Sequence, residues 1–377
     1  MMSRDTNSTP PEVVLGFLEE AKHWRLLPPQ FPSKVGGRPA WLSQRNLPSP
    51  HELECEVCRL PMAFLLQVYA PIFGLERSFH RTVFVFCCKT DKCYTCNNNS
   101  CIKVFRSQLP RRNEFYPFNP PPVFFQKMVQ KSKNEEEPTD NSEADHSMLL
   151  SGLKLCWVCG CLGNKACSRC HMVTYCGKHH QTVHWKHTHK KECSSPETTT
   201  VKTSPFLFRE YELVTEPEEE EVDEAEIDTT VVEEERSALH SSIVGSLTEA
   251  DLEEVAMHET EDNKVFQQFK KKIASEPHQV LRYSRGGSPL WVSSQHIPSD
   301  NDIPLCTCGA PRCFEFQVMP QLLNSLSVDS MGMSIDWGTL AVYTCSVSCN
   351  QGDRYISEFI WKQDFISEHI HSENPHV

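Results

Sequence analysis

The sequence lacks an apolar run long enough to cross a bilayer. Its most apolar stretch, residues 62–73, has about half the length that a membrane-spanning helix needs, and Gln67, Tyr69 and Pro71 interrupt it. The first residues also lack a secretory signal, because acidic residues flank the short apolar segment 13–18 and no small-residue cleavage site is present. We therefore expect a protein of the cytoplasm and nucleus without a membrane role.

A general excess of basic residues is also missing. The chain carries 37 Lys and Arg against 50 Asp and Glu, which gives a net charge of -13. The acidic surplus is concentrated in residues 210–235, which contain 14 carboxylates and no Lys or Arg, so the rest of the chain is close to neutral. Nothing in the overall charge favours binding to DNA.

Motifs of common enzyme classes are absent as well. The sequence contains no phosphate-binding G-x-x-x-x-G-K, no G-x-S-x-G nucleophile elbow and no H-E-x-x-H metalloprotease motif. We therefore predict that the protein is not an enzyme.

Cysteine, in contrast, is abundant, with 19 residues. A reducing compartment disfavours disulfides, so clustered thiols indicate zinc. The strongest cluster has four pairs of donors, enough for two tetrahedral zinc ions: Cys156 and Cys159, Cys167 and Cys170, Cys176 and His180, and His189 and Cys193. Sequential and interleaved pairing both fit this spacing, His179 could replace His180, and Cys161 is surplus. Because about forty residues cannot bury an adequate core, zinc would supply about 10–16 kcal/mol of folding energy per site.

These residues resemble a MYND-type zinc finger over residues 156–193. The resemblance implies interleaved ligation, with one zinc held by the first and third pairs and the other by the second and fourth pairs. It also implies a protein partner, because such fingers bind short proline-containing peptides, and Gln181 and Trp185 beside His184 are the candidate contacts. The lysines of the finger could attract nucleic acid, but we expect protein binding rather than direct DNA binding.

The two ends of the chain resemble each other, which predicts an internal duplication. Each contains, in the same order, a Pro-x-Trp-x-Ser motif, a cysteine pair and three segments rich in Val, Phe, Ile and Tyr, which favour β-strands. In the N-terminal copy these features begin at Pro39, Cys55, Phe64, Thr82 and Val104. In the C-terminal copy they begin at Pro289, Cys306, Phe314, Thr339 and Phe359.

Each copy also offers four thiols for one further zinc site. The N-terminal set is Cys55, Cys58, Cys88 and Cys93, with Cys87, Cys96 and Cys101 as competitors. The C-terminal set is Cys306, Cys308, Cys345 and Cys349. The alternative is that these are plain buried thiols.

Together these patterns predict a mainly β fold with small α and zinc elements. Two similar β-rich halves form one domain, and the zinc finger is inserted between them on flexible arms. The predicted parts are an N-terminal half over 12–125, a linker over 131–147, the finger over 156–193, an acidic disordered linker over 210–247, an amphipathic helix over 248–276 and a C-terminal half over 280–366. We expect the helix to begin at a capping box of Thr248 and Asp251 and to pack on the neighbouring domain.

The whole chain resembles the programmed cell death protein 2 family, on the finger and on the segments FPSKVGGRPAWL (31–42), LLQVYAP (65–71), FQVMPQLLN (316–324) and IDWG (335–338). The resemblance implies a dedicated chaperone or adaptor for one newly made small-subunit ribosomal protein in ribosome biogenesis. Fungal relatives can lack the finger, which would place this activity in the duplicated β domain.

Two further expectations concern partners. The acidic run could mask a basic ribosomal client electrostatically, although such runs can also be solubilising linkers. The alternative function is a nuclear regulator, in cell death, stem-cell or transcription control, that recruits protein partners through the finger and could also recruit DNA through it.

Overall fold

Ten strands form one closed β-barrel in the computed structural model, which describes residues 11–119, 152–193, 204–219, 260–326, 328 and 335–365. The strands are β1 (Val14–Glu19), β2 (Lys34–Val35), β3 (Ala63–Tyr69), β4 (His80–Cys87), β5 (Ile102–Leu109), β8 (Tyr211–Pro217), β9 (Leu281–Tyr283), β10 (Arg312–Val318), β11 (Thr339–Cys345) and β12 (Ile356–Gln363). Their order around the barrel is β1-β8-β2-β3-β4-β5-β12-β11-β10-β9, and β9 pairs with β1 to close it. A small hairpin of β6 (Lys165–Ala166) and β7 (Thr174–Tyr175) lies in the finger. The predicted fold class is confirmed.

The central strands form because β-branched and aromatic side chains alternate along them. Every residue of β4 is buried, since one face lines the barrel interior and the other is covered by loops. Trp41 covers this second face, with its ring 5.4 Å from Phe84 and 6.0 Å from Phe86. The barrel therefore has a continuous core that includes residues of both halves.

The duplication is confirmed, because β2–β5 and β9–β12 repeat the same arrangement. Both copies carry a β-bulge at the same place, between Phe64 and Leu66 and between Phe314 and Phe316. Gln67 and Gln317 then play one role: each side chain accepts from and donates to the backbone of the preceding Pro-x-Trp loop, at Ala40 and Leu290.

In the third strand segment of the two copies, the equivalent residues differ by one position from those of the sequence comparison. Val104 lies opposite Val85 and Ile360 lies opposite Val342, so Val104 corresponds to Ile360 rather than to Phe359. Strand pairing fixes the register here, and a shift of one residue would exchange the two faces of the strand.

The two halves meet at two seams. On one side β5 pairs directly with β12, antiparallel, through Arg106 and Ile356. On the other side β1 and β8 are inserted between the two copies and pair over six residues. Neither β1 nor β8 belongs to the repeat, so they act as the closing pair of the barrel.

The predicted acidic linker over 210–247 is wrong at its start, because β8 lies within it. Leu213 is buried, and the neighbouring carboxylates are paired rather than solvated: Glu212 binds Arg25 at 2.7 Å and Glu218 binds Arg282 at 2.9 Å. Alternation of apolar and paired acidic side chains suits a strand with one buried face. Residues 220–247 and the predicted linker over 131–147 lie outside the described residues.

Three short α-helices lie in the described part of the chain. They are α1 (Lys178–His184), which continues through a π-helical turn (Trp185–His189) and a last α turn (Lys190–Glu192), α2 (Glu261–Ala274) and α3 (Leu322–Ser325). Among the described helices, none has both the length and the apolar character needed to cross a membrane.

α2 lies within the range predicted as an amphipathic helix, 248–276. Thr260 has an extended backbone and caps the helix, since its hydroxyl accepts a hydrogen bond of 3.2 Å from the Asn263 N–H. The residues from Thr248 to 259 lie outside the described part of the chain. Phe269 is buried against Val292 and Met319, so α2 packs on the C-terminal half as predicted.

Candidate metal centres

The finger brings its eight predicted ligands together in two clusters. Cys156 and Cys159 come from the first turn, and Cys176 and His180 follow β7 and enter α1. His180 Nδ1 lies 3.1 Å from Cys176 Sγ and 3.6 Å from Cys156 Sγ. The donor atoms of this cluster all lie within 4.8 Å of one another. His179 is exposed and lies outside it.

The second cluster contains Cys167, Cys170, His189 and Cys193. His189 Nε2 lies 3.4 Å from Cys167 Sγ and 3.5 Å from Cys170 Sγ, and the Sγ atoms of Cys167 and Cys193 are 3.8 Å apart. The structure therefore shows interleaved pairing, because the β6–β7 hairpin places the second cysteine pair next to the end of the helix. Cys161 is buried and belongs to neither cluster.

The cysteines of the two β-rich halves form two further clusters. One contains Cys55, Cys58, Cys88 and Cys93, and the other Cys306, Cys308, Cys345 and Cys349. In each, a pair from the connection before β3 or β10 meets a pair from the β4–β5 or β11–β12 hairpin. Cys88 and Cys345 occupy equivalent positions after β4 and at the end of β11.

The donor sets fit zinc in all four clusters. Zn–S bonds of about 2.3 Å in a tetrahedron place the sulfur atoms about 3.8 Å apart. The Sγ distances are 3.6 Å for Cys58 and Cys88, 3.6 Å for Cys306 and Cys349, and 3.7 Å for Cys308 and Cys345. Thiolate and imidazole donors in groups of four are the ligands of closed, structural zinc sites.

The competing N-terminal cysteines lie outside the cluster. Cys96 is exposed, whereas Cys87 and Cys101 are buried behind the site. Neither belongs to the group of sulfur atoms that lie within 4.8 Å of one another, and both pack in the hydrophobic core as small apolar side chains.

Each outer cluster is held in place by the other half of the barrel. Near the N-terminal cluster, the Asn97 N–H donates to the Asp364 carboxylate at 2.6 Å, and the Asp364 N–H donates to the Asn97 side chain at 2.8 Å. At the C-terminal cluster, Gln108 Nε2 donates to the carbonyl of Cys349 at 3.0 Å and Arg106 Nη1 donates to it at 3.2 Å. Sequence reasoning missed these residues, because no local pattern connects positions more than 200 residues apart.

The finger is docked against the barrel by two side chains of the Pro-x-Trp loop. Trp41 Nε1 donates to the carbonyl of Gly160 at 2.8 Å, and Arg38 donates to the carbonyl of Trp157 at 2.5 Å. Gly160 has φ +69°, and a Cβ there would lie 2.8 Å from Arg38 Cβ, so only glycine allows this approach. The flexible arms predicted for the finger do not leave it free of the barrel.

The helix of the finger has a buried aromatic support beside its two clusters. His184 stacks on Trp157 with ring centroids 3.6 Å apart, and its Nδ1 lies 2.9 Å from the Tyr175 hydroxyl. Burial, with a smaller contribution from His189, lowers the pKa of His184 to about 4, so the ring is neutral at pH 7. Gln181 and Trp185, the candidate peptide contacts, are partly exposed on either side of it.

Three sequence profiles match the chain in the order that the fold shows. The N-terminal domain of programmed cell death protein 2 matches residues 12–123, the MYND finger matches residues 156–193, and the C-terminal domain of programmed cell death protein 2 matches residues 263–364. The bovine programmed cell death protein 2 is 48% identical over 93% of this chain and 96% of its own length. The chain belongs to the programmed cell death protein 2 family.

Two further relatives of the chain are more distant. The mouse protein named "Programmed cell death protein 2-like" is 29% identical over 84% of this chain and 85% of its own length. A Schizosaccharomyces pombe protein named "Probable 20S rRNA accumulation protein 4" is 40% identical, over 23% of this chain and 24% of its own length. No solved structure matches the chain.

Proposed function

We propose that this protein is a non-enzymatic zinc protein that acts as a dedicated chaperone or adaptor for a newly made small-subunit ribosomal protein. The name of the fission yeast relative refers to 20S rRNA accumulation, and this supports a role in ribosome biogenesis. The proposal places the protein in both cytoplasm and nucleus, between the sites where ribosomal proteins are made and assembled.

The observation that carries a binding role is that the four candidate zinc sites of the described residues are all closed. Each of the four clusters offers four protein ligands, so a bound zinc ion would have no position left for water or substrate. Catalytic zinc needs such an open position, whereas structural zinc stabilises a surface. In this proposal the zinc ions stabilise a barrel whose two halves hold each other's metal clusters in place, and the outer surface and loops of this barrel bind a client.

The test is to purify the tagged full-length protein from cells after removing ribosomes by sedimentation and to quantify the proteins that co-purify. We expect one small-subunit ribosomal protein in about equimolar amount. A Trp185→Ala variant keeps this partner if the barrel binds it. Small-subunit proteins no more abundant than with an untagged control would contradict the chaperone role.

The second candidate is a nuclear regulator that recruits protein partners through the finger. Its support is the partial exposure of Gln181 on α1 and of Trp185 at the start of the π-helical turn, on either side of the buried His184. In that case Trp185→Ala and Gln181→Ala remove proline-containing partners from the purified complex, while the zinc content stays unchanged.

A further inference from the structure

A groove of about 500 Å³ lies on the closing pair of the barrel, β1 and β8. Phe17 of β1 lies opposite Val214 of β8, so the two side chains share one face of the pair and form part of the groove. Val280 and α3 complete the lining from the C-terminal half. The groove is therefore at the seam between the two copies, and it has an apolar floor.

The charged groups of this groove have one sign. Glu19 and Glu216 continue the same face of β1 and β8, and Glu276 faces the groove from the turn after α2. No Lys or Arg lines the groove, and His278 is the other titratable group there. None of the three carboxylates forms an ion pair with the part of the chain that the structure describes.

The neighbouring carboxylates outside the groove form ion pairs, in contrast to the three groove carboxylates. Glu212 binds Arg25, and Glu218 binds both Arg282 and Lys272. Arg25, Arg282 and Lys272 are therefore already paired with carboxylates outside the groove.

The groove also contains an acceptor without a donor. The side-chain oxygen of Gln321 lines the groove, is buried, and has no hydrogen-bond partner among the described residues. With the three carboxylates it makes a set of acceptors, and Lys and Arg side chains only donate. A buried acceptor left unpaired costs free energy, which a donor from a bound chain would recover.

The sequence that follows β8 is also acidic. β8 ends at Pro217, directly after Glu216 of the groove. Residues 220–235, which lie outside the described part of the chain, contain nine further carboxylates and no Lys or Arg. A surplus of negative charge favours association with a partner of opposite charge.

We infer that this groove binds an extended segment rich in lysine and arginine from a protein partner. Apolar floor residues would take the aliphatic stems of these side chains, while the carboxylates and the Gln321 oxygen accept from their charged ends. The identity of the partner as a ribosomal protein rests on the proposed function, whereas the chemistry of the groove does not.

The test measures binding of a fluorescein-labelled peptide of alternating Arg and Gly to the full-length protein by fluorescence anisotropy. A charge variant combines Glu19→Gln, Glu216→Gln and Glu276→Gln. A matched control removes three carboxylates that lie outside the groove, by Glu76→Gln, Asp300→Asn and Asp353→Asn. A shape variant, Asn324→Trp, fills the groove without changing the charge.

We expect the charge variant to weaken binding at low salt by about 3-fold to 150-fold, which corresponds to about 0.6–3 kcal/mol for the loss of three exposed ion pairs. The shape variant weakens it as well, and the matched control changes it by less than twofold. Equal losses in the charge variant and the control would show that only net charge matters, and unchanged affinity in the charge or shape variant would show that the groove is not the site. Either result overturns the inference.

The same variants separate this inference from the proposed function. Unchanged circular dichroism and zinc content show that the variants are folded. If the wild-type protein purifies without a ribosomal protein but binds the peptide through the groove, the chaperone role fails and the inference stands. The opposite outcome is also possible. If the ribosomal protein co-purifies equally with the wild type and with the charge and shape variants, and all three bind the peptide with the same affinity, the inference fails and the chaperone role stands.

Discussion

The indole Nε1 of Trp41 donates a hydrogen bond of 2.8 Å to the carbonyl oxygen of Gly160, and this bond connects the barrel to the zinc finger. Trp41 is only 1% exposed, so the bond is shielded from water. The same indole packs on Phe84 and Phe86 of β4. The position of the finger therefore depends on a side chain that also belongs to the core of the N-terminal half.

Trp41→Phe should loosen the finger. The phenyl ring keeps most of the packing but leaves the buried carbonyl of Gly160 without a donor, at a cost of about 1–3 kcal/mol. Hydrogen exchange in residues 156–193 should become faster, while exchange in β3 and β4 stays slow. Trp291→Phe, at the duplicated and only partly buried position, is the matched control and should leave the finger unchanged. Equal exchange in the wild type and Trp41→Phe would show that the bond does not hold the finger.

Glu210 should contribute stability that acid removes. Burial works to raise its pKa, but the hydrogen bond with His23 and the charge of Lys34 outweigh burial and lower the pKa from 4.5 to about 2. A lowered folded-state pKa gives stability that is complete above the unfolded value and is lost as the pH falls from 4.5 toward 2.

The measurement is the difference in free energy of unfolding between the wild type and Glu210→Gln. We expect about 1–3 kcal/mol at pH 7, shrinking below pH 4.5. Acid also releases zinc from cysteine ligands, but it does so in both proteins, so the difference isolates Glu210. A difference that grows in acid would reverse the sign and contradict the assignment.

Much of the metal chemistry could be predicted because ligand spacing is a local property. Cys156 and Cys159 are close enough for one turn to present both to a single ion, whatever the rest of the chain does. Prediction of the outer clusters also required the internal duplication, which places Cys88 and Cys345 at the ends of equivalent strands. The pairing within the finger depends on where the β6–β7 hairpin turns, and spacing alone leaves it open.

The features that sequence reasoning missed depend on long-range contacts. Tyr211–Pro217 reads as the start of an acidic linker, and it becomes a strand because Arg25 and Arg282 lie next to its carboxylates in the closed barrel. The contact between Asn97 and Asp364 likewise exists only once β5 and β12 have paired. The order of residues along the chain carries no signal for either, since both require the two halves to meet.

Zinc analysis of the purified full-length protein should give four zinc ions per chain, one for each cluster. Cys308→Ser, at the exposed ligand of the C-terminal cluster, should reduce the count to three with little loss of overall fold. Cys161→Ser is the control, because this cysteine is buried in the finger but belongs to no cluster. A wild-type count of two would show that the outer cysteines are plain thiols.

The ion pair of Arg81 and Glu315 should be a sensitive contact between the two halves. Both side chains are fully buried, and Arg81 Nη2 donates to Glu315 Oε2 at 2.6 Å and to the Thr344 hydroxyl at 3.1 Å. Because a lone buried charge has neither water nor a partner, Glu315→Gln should lower the free energy of unfolding by about 3–5 kcal/mol.

Two further variants decide whether the charge or the packing causes this loss. The double variant Arg81→Met with Glu315→Met removes both charges, so it should recover more than half of the lost stability. Glu114→Gln breaks the exposed pair with Arg45 and should cost less than about 1 kcal/mol. All three are measured by urea unfolding with zinc in excess. A double variant as unstable as Glu315→Gln would mean that the polar network with Thr344 and Tyr283, rather than the ion pair, holds the halves together.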